Sequence, residues 1–301
     1  MEKHKLKNIV LSGGGHVGFC QIGLLYHLIE KKKLDIKNVE NIYCTSIGSM
    51  VAIMFILNYD KDELFNYLIN KPWEKFLKIN INNFLEYNVN KGLIGGHVFE
   101  EILTSLLLGK DIKKDITLKE FYNLNKINLN IFTIEINEFI TVRVSHKTHP
   151  NLRLLDAVHM TAAVPFVIHP HYYNNGVYID GGLHINYPLN PCINEDECKK
   201  EETLGIRAWK KQKDIFNLNK NSNVQEFADR YIQCYICSRK DNAEKHIIEI
   251  QNEIKIESGQ LNMKDAIGAI FDKEYRINTI KSGEKYGKEF LKKNKKFIKI
   301  K

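Results

Sequence analysis

Three short stretches put residues capable of acyl chemistry directly after what read as strands. Gly13-Gly14-Gly15-His16-Val17-Gly18 follows the apolar run 8–12 and opens a helix. Ser46 stands within Cys44-Thr45-Ser46-Ile47-Gly48, where a second strand turns into a helix, and Asp180-Gly181-Gly182 closes the run 176–180. Three glycines in a row let backbone N–H groups approach a negative group. As Gly13-x-Gly15-x-x-Gly18 the loop fits the dinucleotide fingerprint, but that fingerprint wants an acidic residue ending the second strand, where this chain has Cys44-Thr45-Ser46. It is not a P-loop, because no Gly-Lys-Ser/Thr follows. A third reading is an oxyanion hole, in which amides at a helix N-terminus receive the negative oxygen of a tetrahedral acyl intermediate. A tight strand-to-helix turn with no ligand also stays open.

Ser46 has the setting of a nucleophile elbow, G-x-S-x-G, with Cys44 in place of the first glycine and Gly48 as the second. Small flanking residues are needed there because strand and helix pass close at the turn. Ser49 is a rival serine, but it falls inside the helix rather than at its apex. The competing role for Ser46 is to cap the helix over 48–58. A serine hydroxyl needs a base. His169, His171 and His184 fall in plausible loops, yet they read as ordinary loop residues, and the "HPH" run has no carboxylate or cysteine partner at metal-ligand spacing. Asp180 is the better candidate, since Gly181 and Gly182 free the backbone for the carboxylate to approach a partner; a structural aspartate in a turn is the alternative. What favours chemistry is the order: glycine loop, elbow serine, Asp-Gly-Gly, each leaving a strand.

The elements that must position these residues alternate. Strands are expected over 8–12, 41–45, 129–137, 139–145, near 176–180 and over 203–208. Helices are expected over 18–31, 48–58, 153–163 and 223–238, the last from a stripe of Val224, Phe227, Ala228, Tyr231, Ile232, Tyr235 and Ile236. Residues 60–125 read as mostly helical. That alternation predicts a layered α/β sheet, mostly parallel, with helices on both faces. In the 60–125 region Trp73, Phe76, Leu77, Phe84, Leu85 and Tyr87 form a dense apolar set, read first as core and second as an acyl groove or membrane contact.

The 301 residues suffice for a sizeable core, and 44% hydrophobic with 27% charged residues argues against wholesale disorder. Six scattered cysteines fit a reducing compartment, and the pair Cys234-x-x-Cys237 reads as inert core. No signal peptide or membrane-spanning stretch is expected, which points to a cytoplasmic protein that meets membranes peripherally. The net charge is +8, and residues 288–301, with seven lysines and one glutamate, carry +6 of it. Phe290, Leu291, Phe297 and Ile298 recur there at helical spacing, so this end reads either as a basic amphipathic segment for anionic bilayers or as a frayed terminus. Nucleic acid is not an expected partner, because the basic residues form no internal stripe with interleaved aromatics.

Together "GGGHVG", "CTSIG", "LLDAVHMTAAVPFVIHP" and "DGG" followed by "INYPL" resemble the patatin-like phospholipase family, over about residues 8–190 with looser similarity to about 291. The resemblance implies a three-layer α/β/α fold around a central, mostly parallel sheet. It implies one domain over 1–301, with the motifs in 8–190, an extension over 200–291 and the basic tail 288–301. It further implies lipid acyl ester hydrolysis, of phospholipase A or lysophospholipase type, by a Ser46–Asp180 dyad without histidine. Amides of Gly13, Gly14 and Gly15 would hold the oxyanion, Gly18, Cys44, Gly48, Gly181 and Gly182 would support the motifs, and neither metal nor cofactor would be needed. The partner would be a phospholipid or other acyl lipid at a membrane surface. Val17, where the family commonly has Arg or Lys, and Cys44 depart from its pattern; they motivate the alternative of a catalytically weakened module that binds lipid or protein.

Overall fold

The computed structural model describes residues 5–75, 81–209, 218–223, 226–227, 230–231, 234, 248–257, 268 and 270–298, the side chains of 294–298 excepted. Short apolar runs become buried strands: β1 (Asn8–Leu11), β2 (Asn41–Thr45), β3 (Asn128–Glu135), β4 (Ile140–Val144), β5 (His171–Tyr173), β6 (Gly176–Asp180), β7 (Thr203–Trp209) and β8 (Asn252–Glu257). They form one mixed sheet in the order β5-β6-β3-β2-β1-β7-β8, with β4 also on β3. The pairs β1–β2, β1–β7, β2–β3 and β7–β8 are parallel; β3–β4, β3–β6 and β5–β6 are antiparallel.

One feature of this pairing decides where the chemistry sits. β4 lies along 131–135 of β3, so β2, paired to 128–132, and β6, paired to 133–135, must share the other edge of β3. β2 runs parallel to β3 and β6 antiparallel, so their C-terminal ends meet head-on. Thr45 faces Phe132, and Asp180 faces the next residue, Thr133.

Alternation along the strands sends Ile9, Leu11, Ile42, Cys44, Leu129 and Ile131 into the larger core. That core lies under α1 (Val17–Glu30), α2 (Ile47–Ile56), α3 (Lys61–Asn70), α6 (His97–Leu108) and α8 (Leu154–Ala162). Val10, Tyr43 and Phe132 face the opposite way, onto Leu189, Cys192 and Ile193 of the chain that follows the four-residue helix α9 (Gly182–Ile185). Two short helices, α4 (Ile81–Leu85) and α5 (Tyr87–Asn90), precede α6, and α7 (Leu118–Asn125) leads into β3 behind a capping box of Thr117 and Glu120. The expected α/β/α layering is therefore present, with layers of unequal thickness.

Three elements differ from the sequence expectation. β5 and β8 add strands at the two ends of the sheet. The basic end is neither frayed nor free over its inner part: α10 (Lys273–Ile298) packs along α1, and Phe290 and Leu291 turn toward the core. Gly283 permits that crossing, since a Cβ there would fall 2.0 Å from the Cys20 carbonyl oxygen. Most of the 223–238 stripe, Cys237, residues 76–77, residues 299–301 and the side chains of Phe297 and Ile298 lie outside the described residues.

Candidate active site

Ser46 follows β2 with φ 53° and ψ −129°, a left-handed backbone that non-glycine residues adopt at a cost. The sharp turn lifts its side chain off the sheet end and keeps it from capping α2, where it makes no cap hydrogen bond. Its hydroxyl instead donates to Asp180 Oδ2 at 2.6 Å, across 134 residues of sequence. Ser49 is no rival: it is fully buried, and its hydroxyl donates to the Ser46 carbonyl at 2.7 Å. Gly48 packs onto the carbonyls of Leu11 and Ser12, and Gly18 packs onto Ile47, so both hold helices close to the site.

Asp180 is 7% exposed. Its second oxygen, Oδ1, accepts the Gly182 N–H at 2.7 Å, so both oxygens are held. Burial pushes this carboxyl up to about 6, against the opposing hydrogen bonds from Ser46 and Gly182. Gly181 is required by contact: a Cβ there would lie 2.2 Å from the Phe132 carbonyl oxygen, where β6 reaches β3.

In the glycine loop Gly14 and Gly15 have positive φ, 147° and 53°, which turns the chain from β1 into α1. Gly13 lies buried beside Ser46, and its N–H donates to the Asn186 carbonyl at 3.0 Å. That bond occupies one of the three amides expected to face an oxyanion. The amides of Gly14 and Gly15 donate to no acceptor among the described residues, and Gly15 is exposed, at the positive end of the α1 dipole. Ile47, first in α2, has an N–H with no intrahelical acceptor by position.

Val17 and Cys44 are both buried packing residues. Cys44 is fully enclosed, its thiol pushed up by burial, with Sγ 3.6 Å from the Asn130 carbonyl oxygen. The candidate histidines lie elsewhere. His184 sits 3.2 Å from Thr141 Oγ1 and edge-on to Phe139, on the β3–β4 hairpin. His159 lies 2.8 Å from the His169 carbonyl and 3.0 Å from His171 Nδ1, a cluster against Gly96. Two residues were missed. Thr161 accepts the Ser46 N–H at 2.9 Å and donates to the Phe132 carbonyl, tying serine, β3 and α8 together. Asn186 holds Gly13 through its carbonyl and places its side-chain oxygen beside Gly13 and Gly182. The only sequence signal for either was membership of the stretches "HMTAAVP" and "INYPL".

The arrangement is a serine hydroxyl hydrogen-bonded to a buried carboxylate, beside two amides that have no acceptor among the described residues. A family model, patatin-like phospholipase, matches residues 9–193. The chain belongs to that family. Among curated relatives, a probable lipid hydrolase, 463L, of invertebrate iridescent virus 6 is 27% identical over 204 residues, covering 66% of this chain and 68% of the relative. The chain spans about two thirds of the length of the curated relatives it matches. VipD from Legionella pneumophila has a similar structure at TM-score 0.54 and 19% identity, covering 96% of this chain and 67% of VipD. The type III effector ExoU does so at TM-score 0.50 and 11% identity, covering 96% of this chain and 53% of ExoU. At identities this low the likeness is one of fold.

Proposed function

We propose that this chain hydrolyses acyl esters of lipids, as a phospholipase A or lysophospholipase, by a Ser46–Asp180 dyad. The observation that carries the reading is the 2.6 Å hydrogen bond from Ser46 to a buried carboxylate at the meeting point of β2 and β6. Ser46 Oγ attacks the ester carbonyl while Asp180 takes its proton, and Asp180 returns that proton to the leaving alcohol. The negative oxygen is received by the amides of Gly14 and Gly15, Gly13 serving instead to fix the loop. Water then attacks the acyl-serine carbonyl while Asp180 accepts its proton; the carbon–Oγ bond breaks, Asp180 returns the proton to Ser46 Oγ, and the acyl group leaves as fatty acid. Thr161 and the strained Ser46 backbone keep the hydroxyl aimed at the carboxylate. A carboxyl near 6 is ionised at neutral pH yet far more basic than an ordinary aspartate.

A membrane surface as the source of substrate is supported by exposed apolar side chains, several of them at the end of the sheet toward which β2, β3 and β7 run. Phe139 and Ile140 stand exposed on the β3–β4 hairpin, Phe166 on the loop after α8, and Trp209 at the end of β7. The expected groove residues divide: Trp73 is core, its Nε1 donating to the Leu68 carbonyl, whereas Phe84 and Leu85 are 63% and 75% exposed on α4. The name of the viral relative, probable lipid hydrolase, supports the same substrate class.

The experiment is covalent labelling with a fluorophosphonate, paired with fatty-acid release from mixed liposomes. Labelling of the wild type but not of Ser46→Ala, with release lost in that variant, is the expected result. A folded wild type that neither labels nor releases fatty acid overturns the reading in favour of a binding module.

A further inference from the structure

A second cluster of reactive groups lies on the opposite face of the sheet. After Leu189 the chain makes a tight helical turn over Pro191–Glu195, and the Asp196 N–H donates to the Pro191 carbonyl at 3.0 Å. Glu197 then takes a left-handed conformation, φ 52°. That reversal returns Cys198 to Cys192: the Cys198 N–H donates to the Cys192 carbonyl at 3.0 Å. Both are free. Cys192 is fully buried with Val10, Tyr43 and Phe132, whereas Cys198 is half-buried and reachable from solvent. The Tyr43 hydroxyl stands 3.5 Å from Cys198 Sγ and donates to Asp196 at 2.6 Å, and Arg143 grips both oxygens of Asp196.

These surroundings favour a thiolate at one sulfur only. The neighbouring Cys192 holds the Cys198 thiol down near 7, aided by the Arg143 charge, against burial and Asp196. Cys192 is raised in turn by Cys198 and by burial. Cys20 and Cys44, buried without such neighbours, are raised by burial alone. A low, half-buried thiol whose backbone is bonded to that of a second, fully buried cysteine is the pairing that separates an attacking cysteine from a resolving one.

We propose that Cys192 and Cys198 form a peroxide-reactive dithiol that closes to an intramolecular disulfide, Cys198 attacking and Cys192 resolving. The Cys198 thiol gives its proton to water. Its sulfur attacks one oxygen of a hydroperoxide, the S–O bond forms as the O–O bond breaks, and the departing oxygen takes a proton to leave as water or an alcohol. Cys198 is oxidised to the sulfenic acid and the peroxide is reduced. The Cys192 sulfur then attacks the Cys198 sulfur; the S–S bond forms, the S–O bond breaks, and the Cys192 proton leaves with the hydroxyl as water. The inference is independent of the hydrolase reading, and Ser46→Ala is expected to oxidise at the wild-type rate.

The test is equimolar hydrogen peroxide on the reduced full chain at neutral pH, with acid quench, intact mass and peptide mapping. The expected product has lost two hydrogens and yields a peptide cross-linked between Cys192 and Cys198. It forms at least about tenfold faster than in urea, where the turn is gone. Cys192→Ser is expected to accumulate a sulfenic acid at Cys198, trapped by dimedone. Oxidation first at the exposed Cys234, or equal rates in native and urea-unfolded wild type, overturns the proposal whether or not the variants fold.

Discussion

Asp180 and Asp196 are both acidic residues drawn against the sheet, on opposite faces, and their surroundings give them opposite characters. Among the described residues Asp180 has no cation beside it; it is held by a hydroxyl and one amide, and burial raises it to about 6. Asp196 is gripped by Arg143, bonded by Tyr43 and held below the usual carboxylate range, with burial opposing. The lesson is that a carboxylate is made basic by withholding a counter-charge, and made structural by supplying one. The first arrangement costs stability and leaves a proton acceptor; the second ties β2, β4 and the 191–198 turn together.

The largest break in this comparison is Asp180→Asn. Turnover of a soluble acyl ester is expected to fall about 10²–10⁴-fold, the typical worth of a positioned base, with circular dichroism unchanged. The same variant is expected to be more stable than wild type above pH 6. The folded carboxyl, near 6, sits above its ordinary value of 3.8, so ionising it opposes folding, by about 3 kcal/mol once complete. That penalty is absent below pH 4 and accrues between 4 and 6, so the melting curves of the two proteins should converge in acid. A wild type that is the more stable one at pH 8 would contradict the raised carboxyl.

Next in size is the pH profile. Hydrolysis is expected to fall about tenfold per unit as pH drops below 6, a slope read from initial rates on a non-ionising ester. An acid limb centred near 4 would mean that Asp180 is an ordinary carboxylate. Arg143→Met should act on the other member of the comparison. It leaves Asp196 without its cation and is expected to cost about 1–2 kcal/mol by urea titration, while kcat stays within about twofold. Smallest is Thr161→Val, which removes the acceptor for the Ser46 N–H. A loss of about three- to tenfold in kcat with little change in KM would fit a positioning role.

Much of this arrangement was legible in the sequence because glycines and strand ends leave local marks. The runs Asn8–Leu11 and Asn41–Thr45, and the turn residues beside Asp180, announce themselves within a few positions. What stayed hidden depends on distant partners. β5 is three residues long, and β8 shows its alternation only at Ile254 and Ile256, with charged neighbours between. α10 is so rich in lysine that its buried face, with Ile280, Gly283 and Gly287 against α1, reads as solvated until α1 is there to meet it. The occupied Gly13 amide was likewise invisible: Asn186 supplies its carbonyl from 173 residues away, and backbone acceptors have no sequence signature. The exposed apolar set of α4 could not be told from core because both are apolar at helical spacing.

The head-on meeting of β2 and β6 along one edge of β3 has a consequence for the newborn chain. A polypeptide leaving the ribosome has its elbow serine early, yet the carboxylate bonded to it is specified more than a hundred positions later and lies beside it only once β2 and β6 are both on β3. Under the proposed mechanism, partly synthesised or half-assembled molecules carry an inert hydroxyl, and the pair is complete only when the central sheet has been put together.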